Sequence, residues 1–212
     1  MKRKELQYQT VKPLLRSTLE RLMEIDEFKP FRLVGGTSLS LRYGHRMSDD
    51  IELFTDAEYG SLDFQLLQYI LRREFPYCQG DCGEIVGFGT SYLVGNSTND
   101  NVKVDLFYTD PFIRPMEQRD KIRMASVDDI VAMKMEVISR GGRKKDFWDL
   151  HMLREHYSIE QMLSLYEERY PYGATKEESV EGLTNFSVAD TEPDPICLQD
   201  KVWQLIKLDF VK

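Results

Sequence analysis

Alternation of apolar and polar residues predicts the strands of this protein. Residues 49–55 and 102–108 alternate with the period of two that marks a strand with one buried face. Residues 31–34 make a shorter strand, which a pair of glycines ends. Residues 82–98 are rich in Gly, Val, Tyr and Phe, which predicts two further short strands joined by turns. The predicted strands therefore all fall in the first half of the chain.

Apolar residues three to four positions apart predict helices in the other segments. Residues 6–28 form one amphipathic helix and residues 62–75 another, and between them Thr37 or Ser38 caps a short helix that ends at Gly44. In the second half, the predicted helices are 126–140, 145–156, 159–170, 176–186 and 198–210. The pattern indicates an α+β protein, with an α/β core in residues 1–125 and a helical C-terminal region in residues 126–212.

Charge and cysteine content narrow the class of protein. The net charge of −8 argues against a surface that binds nucleic acid over its whole extent. Residues 112–145 nevertheless hold nine Lys or Arg and five Asp or Glu residues, so this segment is either a solvated helix face or a docking site for polyphosphate or RNA. The three cysteines lack metal-site spacing and fit free thiols in a reducing cytosol.

Localisation is predicted from two absences in the sequence. The basic start of the chain is not followed by the apolar run of a secretory signal. No stretch approaches the roughly 18 apolar residues that a membrane span requires. We therefore expect a cytoplasmic protein with no membrane partner.

A glycine pair is the first candidate for chemistry. Gly35 and Gly36 stand between a predicted strand and a predicted helix and are followed by Thr37 and Ser38. Glycines let the backbone approach a ligand closely, and the start of a helix presents free N–H groups to a phosphate. The same pair is also what a tight turn requires, so this motif alone leaves both interpretations open.

Three acidic residues on predicted strands are the second candidate. Asp50 and Glu52 are two apart and so point to the same side of their strand, while Asp105 lies in the middle of the second alternating strand. Carboxylates this close repel one another unless a cation lies between them, and oxygen ligands suit Mg²⁺. If the two strands are neighbours, the three carboxylates predict a two-metal phosphoryl-transfer centre. A solvated acidic strand face is the alternative.

Lys134 is the third candidate, because it shares a helix face with Ile130 and Ile138. A lysine in an apolar stripe either extends its amine to the surface or meets an anion, which is a phosphate or an active-site carboxylate. Asp146 and Asp149 follow in the first turn of the next predicted helix, where acids favour the helix dipole. Taken alone, they are interpreted as capping residues.

The order and spacing of these motifs resemble the AbiEii/AbiGii toxin family. Residues 31–54 read FRLVGGTSLSLRYGHRMSDDIELF, which is similar to that family's Gly-Gly-Thr turn and helix, its His-Arg-x-Ser segment and its Asp-x-Asp strand. Residues 129–134 (DIVAMK), 140–141 (RG) and 145–150 (KDFWDL) resemble its second block. The resemblance covers residues 31–150. It implies a fold similar to DNA polymerase β-type nucleotidyltransferases, a mixed β-sheet flanked by helices and followed by a helical region.

The resemblance also implies roles for individual residues. Asp50, Glu52 and Asp105 would hold two Mg²⁺ ions, and Lys134 would pair with phosphate as part of the catalytic set. Asp146 is a motif acid with no assigned task. The nucleotide-binding residues implied by the resemblance are Gly35, Gly36, Thr37, Ser38, Arg46, Ser48 and Lys134.

The implied activity is transfer of an NMP from an NTP (ATP, GTP or CTP) to an acceptor such as tRNA, by the toxin of a toxin–antitoxin or abortive-infection system. The family usually has Asp where this chain has Glu52, and Mg²⁺ tolerates imperfect octahedral geometry poorly. This departure keeps open a catalytically weak protein that binds a nucleotide or a partner. A nucleotidyltransferase that modifies protein is a further alternative.

Overall fold

Seven strands and eight α-helices are formed by residues 5–83 and 87–212, the part of the chain that the computed structural model describes. The strands are β1 (Arg32–Leu33), β2 (Asp50–Thr55), β3 (Tyr77–Gln79), β4 (Gly89–Ser97), β5 (Asp100–Tyr108), β6 (Glu117–Arg119) and β7 (Ile122–Met124). The helices are α1 (Pro13–Glu24), α2 (Gly35–Tyr43), α3 (Phe64–Glu74), α4 (Val127–Ser139), α5 (Lys144–Leu153), α6 (Ile159–Arg169), α7 (Lys176–Thr184) and α8 (Trp203–Val211). No helix in these residues is long and apolar enough to cross a membrane.

The strands form one mixed sheet in the order β3-β4-β5-β2-β1-β7-β6. β2 lies at its centre, parallel to β5 and antiparallel to β1. Helices flank the sheet, and α4 to α8 follow it in the chain, so the predicted α+β class is confirmed. Buried apolar residues form two clusters: the first extends to Met124, and the second consists of Ala125 and later residues together with Val34 and Leu39. The domain division at residue 125 stays a prediction.

The N-terminal helix is shorter than the sequence predicts. Residues 6–28 contain a 3₁₀ turn at Tyr8–Thr10, α1, and a second 3₁₀ turn at Asp26–Phe28. Pro13 has no N–H to donate into a preceding helical turn, and its fixed φ suits the first position of a helix, so α1 begins there.

The start of α2 also differs from the prediction. Neither Thr37 nor Ser38 caps this helix, which begins at Gly35 after Val34, a residue with no capping side chain. The predicted end is confirmed, because Gly44 follows α2 in the left-handed conformation with φ of 68°.

The edges of the sheet were the least visible in the sequence. Residues 82–98 contain the single strand β4, and the other strand of that region, β3, lies before them at Tyr77–Gln79. Residues 84–86, within the predicted pair of strands, and the basic residues 1–4 lie outside the described residues. The β6–β7 hairpin was missed because its turn is Asp120-Lys121, with positive φ at both residues, and not the Asn-Gly or Asp-Gly that announces such a turn.

Close packing of α7 on the end of α4 depends on Gly182. A Cβ built at Gly182 would lie 2.6 Å from the carbonyl oxygen of Ile138 and 2.9 Å from the Cα of Ser139. Both atoms belong to the backbone, so a side chain there requires the two helices to separate.

We predict that Gly182→Ala lowers the free energy of unfolding by about 1–3 kcal/mol, because overpacking outweighs the higher helix propensity of Ala. Urea denaturation measures this difference. Gly87→Ala is the control, since a Cβ at Gly87 meets nothing within 4 Å. A Gly182→Ala protein as stable as the wild type would contradict the close approach.

Candidate active site

The two glycines at the start of α2 make room for side chains of the protein itself. A Cβ at Gly35 would lie 1.7 Å from Oε2 of Glu52, and a Cβ at Gly36 would lie 2.1 Å from Nη2 of Arg46. Gly35 also has φ of 63°, a conformation that favours glycine. The pair therefore permits the close approach of one acidic and one basic side chain to the backbone. Contact of these glycines with a triphosphate stays a prediction.

Thr37 and Ser48 join α2 to the start of β2. Their hydroxyl oxygens are 2.8 Å apart, and Thr37 also donates to the carbonyl oxygen of Asp50. Ser38 is fully buried and accepts a hydrogen bond from Arg42. Of these hydroxyl residues, Ser48 lines the cavity described below, and Thr37 and Ser38 lie behind its wall.

The predicted acidic strands are neighbours in the sheet. In the parallel register of β2 and β5, Asp50 lies opposite Lys103 and Glu52 opposite Asp105. Asp50 and Glu52 are partly exposed, while Ile51 between them is buried against the other face. Because paired residues of parallel strands point to the same side, the three carboxylates share one face of the sheet.

Each of these carboxylates is engaged by the protein. Asp105 accepts hydrogen bonds from Ser91 Oγ at 2.5 Å and from Lys103 Nζ at 2.7 Å. Asp50 pairs with Lys145 at 3.5 Å, and Glu52 accepts the backbone N–H of Gly36 at 3.3 Å. Within residues 5–83 and 87–212, no three Asp, Glu, His or Cys side chains stand close enough together to hold a metal ion as they are arranged.

A buried ion cluster centred on Asp149 lies beneath this face. The fully buried Asp149 carboxylate accepts two hydrogen bonds from Arg46, at 2.7 and 2.8 Å, and contacts Nε2 of His45 at 2.7 Å. Lys134 lies 2.7 Å from Asp149 and 2.6 Å from Asp146. The cluster therefore ties α4 and α5 to the loop that leads into β2.

Charge pairing decides the ionisation of this cluster. Burial acts to raise the pKa of Asp149, but Arg46 and Lys134 outweigh it and hold that pKa well below its ordinary value. Burial acts to lower the pKa of Lys134, but Asp146 and Asp149 outweigh it and raise that pKa. Arg46, Lys134, Asp146 and Asp149 therefore stay charged at neutral pH, because each pKa is moved away from neutrality. Lys134 meets carboxylates, and the alternative in which its amine extends into solvent is wrong.

Asp146 and Asp149 show how little the sequence revealed of this cluster. Asp146 does cap α5, since it accepts the N–H of Arg143 at 3.1 Å, and it also pairs with Lys134. Asp149 was interpreted as a favourable acid near a helix start, yet its partners His45 and Arg46 lie more than 100 residues earlier. Only the Asp-x-x-Asp spacing within the second family block pointed to it.

Two cations of the basic segment 112–145 remain loosely paired. Arg143 lies 3.6 Å from Asp146, and Lys145 lies 3.5 Å from Asp50. Most other cations of the segment are held by the protein, for example Arg114 by Asp128 at 3.0 Å. The segment is therefore mainly a set of internal ion pairs, with Arg143 and Lys145 beside the acidic strand. Sequence reasoning had not selected either residue.

Two cavities meet at this point. The first, of about 220 Å³, has a polar end and an apolar wall. The polar end includes Gly35, Gly36, Ser48, Asp50, Glu52, Arg143, Lys145 and Asp146, and the apolar wall includes Val34, Phe54, Ile130, Met133, Val137 and Tyr170. The second, of about 380 Å³, shares Arg46, Ser48, Asp50, Arg143 and Lys145 with the first. A ligand with an apolar ring and several anionic groups suits this arrangement.

Residues 192–197 form a segment of which the first five residues, Glu192 to Ile196, line the second cavity. The N–H of Met47 donates to the carbonyl oxygen of Ile196 at 2.9 Å, and the N–H of Leu198 donates to His45 at 2.9 Å. At the other end, Lys144 donates its N–H to Glu192 at 2.8 Å and pairs with Asp194 at 3.0 Å. This segment therefore binds the loop before β2 to the start of α5.

The chain was compared with known proteins. Residues 17–211 match a family described as nucleotidyl transferase AbiEii toxin, type IV TA system. The uncharacterized protein aq_aa25 of Aquifex aeolicus (strain VF5) is 31% identical over 163 residues, which are 73% of each chain. These matches extend over more of the chain than the motifs of residues 31–150.

Solved structures share the fold. The nucleotidyltransferase toxin MenT4 of Mycobacterium tuberculosis H37Rv aligns with a TM-score of 0.61 and 16% identity over 91% of this chain and 78% of its own. JHP933 from Helicobacter pylori aligns with a TM-score of 0.55 and 16% identity over 97% of this chain and 90% of its own.

We predict that Asp149→Asn lowers the free energy of unfolding by about 3–5 kcal/mol at pH 7, because Arg46 and Lys134 lose a buried counter-ion. The folded-state pKa of Asp149 lies below the unfolded value of about 3.9, so this stabilisation is present above that pH and is lost as the pH falls further. The difference between wild type and variant should therefore shrink below about pH 4.

Urea denaturation at pH 7 and at steps down to pH 3 measures both effects. Asp209→Asn is the control, since Asp209 is 42% exposed and pairs with His151 at the surface. It should change stability by about 1 kcal/mol or less. Equal losses in the two variants would refute the special position of Asp149.

Proposed function

The chain belongs to the AbiEii nucleotidyl transferase toxin family, and from this premise we propose that it transfers an NMP from an NTP to an acceptor hydroxyl. The acceptor hydroxyl gives its proton to a carboxylate of the acidic face and its oxygen forms a bond to the α-phosphorus. The bond from that phosphorus to the oxygen that bridges to the β-phosphorus breaks, and pyrophosphate leaves. We further propose RNA, with tRNA as the first acceptor to test, and an antitoxin protein as the partner that restrains the activity.

One observation carries this proposal: Asp50 and Glu52 share a strand face that meets Arg143 and Lys145 where the two cavities join. Acids beside loosely paired cations suit a metal–polyphosphate ligand, which needs groups of both signs. The apolar wall, with Phe54 and Tyr170, suits a nucleobase. An NTP has both parts.

A divalent cation fits the donor set of this face. The oxygens of Asp50, Glu52 and Asp105 are the hard ligands that Mg²⁺ takes in proteins, and they lie side by side on β2 and β5. When bound there, Mg²⁺ would neutralise phosphate charge and polarise the α-phosphate. Asp50 and Glu52 would hold it from β2, and Asp105 would orient the acceptor side through its place on β5.

The cations divide into two roles. Arg143 and Lys145 would bind the β- and γ-phosphates, because their ion pairs are long and their side chains face both cavities. Lys134 and Arg46 line the first cavity as well, but Asp146 and Asp149 hold them in short ion pairs. We therefore assign Lys134 and Arg46 to positioning the phosphate site. Only those of their atoms that reach the cavity surface would contact phosphate directly.

A second candidate function is favoured by one observation. All three strand carboxylates are engaged by groups of the protein itself, which suits a chain that binds nucleotide with little turnover. Turnover separates this candidate from the enzyme. The nature of the labelled product separates RNA from protein acceptors.

We predict that the purified protein with Mg²⁺ transfers label from at least one α-labelled NTP to tRNA, and that Asp50→Asn abolishes the transfer. Parallel reactions with each NTP, with tRNA and with a protein mixture identify donor and acceptor. Label in protein alone would reassign the acceptor. No transfer in any reaction, together with measurable NTP binding, would favour the nucleotide-binding alternative.

We predict that Lys145→Met weakens NTP binding about tenfold to a hundredfold, since a charge-assisted bond contributes about 1.5–3 kcal/mol. Calorimetric titration with a non-hydrolysable NTP and Mg²⁺ measures the change. Arg140→Met is the matched control, because Arg140 is 75% exposed and pairs with Glu136. An unchanged affinity in Lys145→Met would remove Lys145 from the phosphate site.

A further inference from the structure

Glu52 caps a helix to which it does not belong. Its carboxylate reaches from β2 to the first turn of α2, where Oε2 accepts the N–H of Gly36 at 3.3 Å. A Cβ at Gly35 would lie 1.7 Å from this oxygen and 2.6 Å from Cδ, so the carboxylate lies directly against the glycine backbone. The carboxylate therefore takes the place of the missing capping side chain at Val34.

The position depends on the length of the side chain. Glu52 is fixed by its backbone in the centre of the sheet, between Gly35 on one side and Asp105 on the other. An aspartate there would be one methylene shorter, and its oxygens would stop short of the Gly36 N–H. The departure from the family's usual Asp thus has a structural consequence at the glycine turn.

Few interactions hold the Glu52 carboxylate at the turn. Among the described residues, it makes no ion pair within 4.0 Å, although Arg46 and Lys134 are near enough to feel its charge. Those two cations are already neutralised by Asp149 and Asp146. One long hydrogen bond therefore keeps the carboxylate on the turn, and a stronger electrostatic partner can take it away.

We propose that Glu52 is a two-position residue that couples cation binding to phosphate binding. Without a divalent cation, its carboxylate covers the Gly35–Gly36 backbone and excludes a polyphosphate by occupancy. With a cation held at Asp50, the carboxylate turns to that cation and uncovers the Gly36 N–H. This inference rests on the proposed function only in placing phosphates at this turn.

The proposed coupling between cation binding and polyphosphate binding is positive. A cation that removes Glu52 from the turn raises polyphosphate affinity, and polyphosphate raises cation affinity by the same factor. Shortening Glu52 should therefore raise polyphosphate affinity in the absence of metal, and by more than the loss of another negative charge near the cavities does. The polyphosphate affinity measured without metal therefore distinguishes a two-position Glu52 from an ordinary metal ligand.

The experiment measures the binding of inorganic tripolyphosphate and of a non-hydrolysable NTP by calorimetry, in EDTA and in Mg²⁺. The variants are Glu52→Asp and Glu52→Ala, and thermal unfolding checks that they fold. Asp49→Asn is the matched control, because Asp49 lines the second cavity and pairs with Lys12, so the variant removes one negative charge near the site and leaves Glu52 in place. Metal-free tripolyphosphate affinity should rise about tenfold in both Glu52 variants and less than about threefold in the control.

The outcomes separate this inference from the proposed function. Unchanged metal-free affinity in the Glu52 variants, or an equal rise in Asp49→Asn, overturns the two-position residue. If tripolyphosphate follows the expected pattern and no NTP binds in Mg²⁺, the coupling stands and the nucleotidyltransferase proposal fails. If NTP binds in Mg²⁺ and the Glu52 variants behave as wild type in EDTA, only the coupling fails.

Discussion

The carboxylate of Asp149 is shielded from water, and the side chains of His45, Arg46 and Lys134 converge on it. Removing an ion from water costs several kcal/mol even in a real protein interior, so this carboxylate is stable only while its partners stay in place. Arg46 comes from the loop before β2 and Lys134 from α4. The cluster therefore sets the distance between the acidic strand and the helices that face it, and that distance defines the first cavity.

The glycine turn depends on the same cluster. Arg46 reaches Asp149 by passing over Gly36, and Glu52 lies over Gly35 on the neighbouring side. A side chain at either glycine would displace one of these two groups. The Gly-Gly pair that looks like a bare phosphate-binding loop in the sequence is thus a packing requirement of two charged side chains, and a phosphate bound there as proposed would meet a turn that is already partly covered.

Local patterns in the sequence were enough for the central strands. Alternation around Ile51 and Val104 gave the buried face. The position of Lys134 between Ile130 and Ile138 left two alternatives, exposure to solvent or an anionic partner, and the structure shows the anionic partner. Features that depend on partners far away in the sequence could not be predicted from it. Asp149 looks like any acid near a helix start, Lys145 like any exposed lysine, and the Asp120-Lys121 turn carries no glycine. The reach of Glu52 to Gly36 follows from the pairing of β1 with β2, which no single segment contains.

The segment 192–197 has a consequence for the order in which the protein is made. The loop with His45 and Arg46 leaves the ribosome well before the backbone groups of Ile196 and Leu198 that bind it, which come about 150 residues later in the chain. The sheet can form on the nascent chain, but the loop beneath the acidic strand is held only after this late segment has emerged. Translation itself thus delays completion of the site until this later segment has been made.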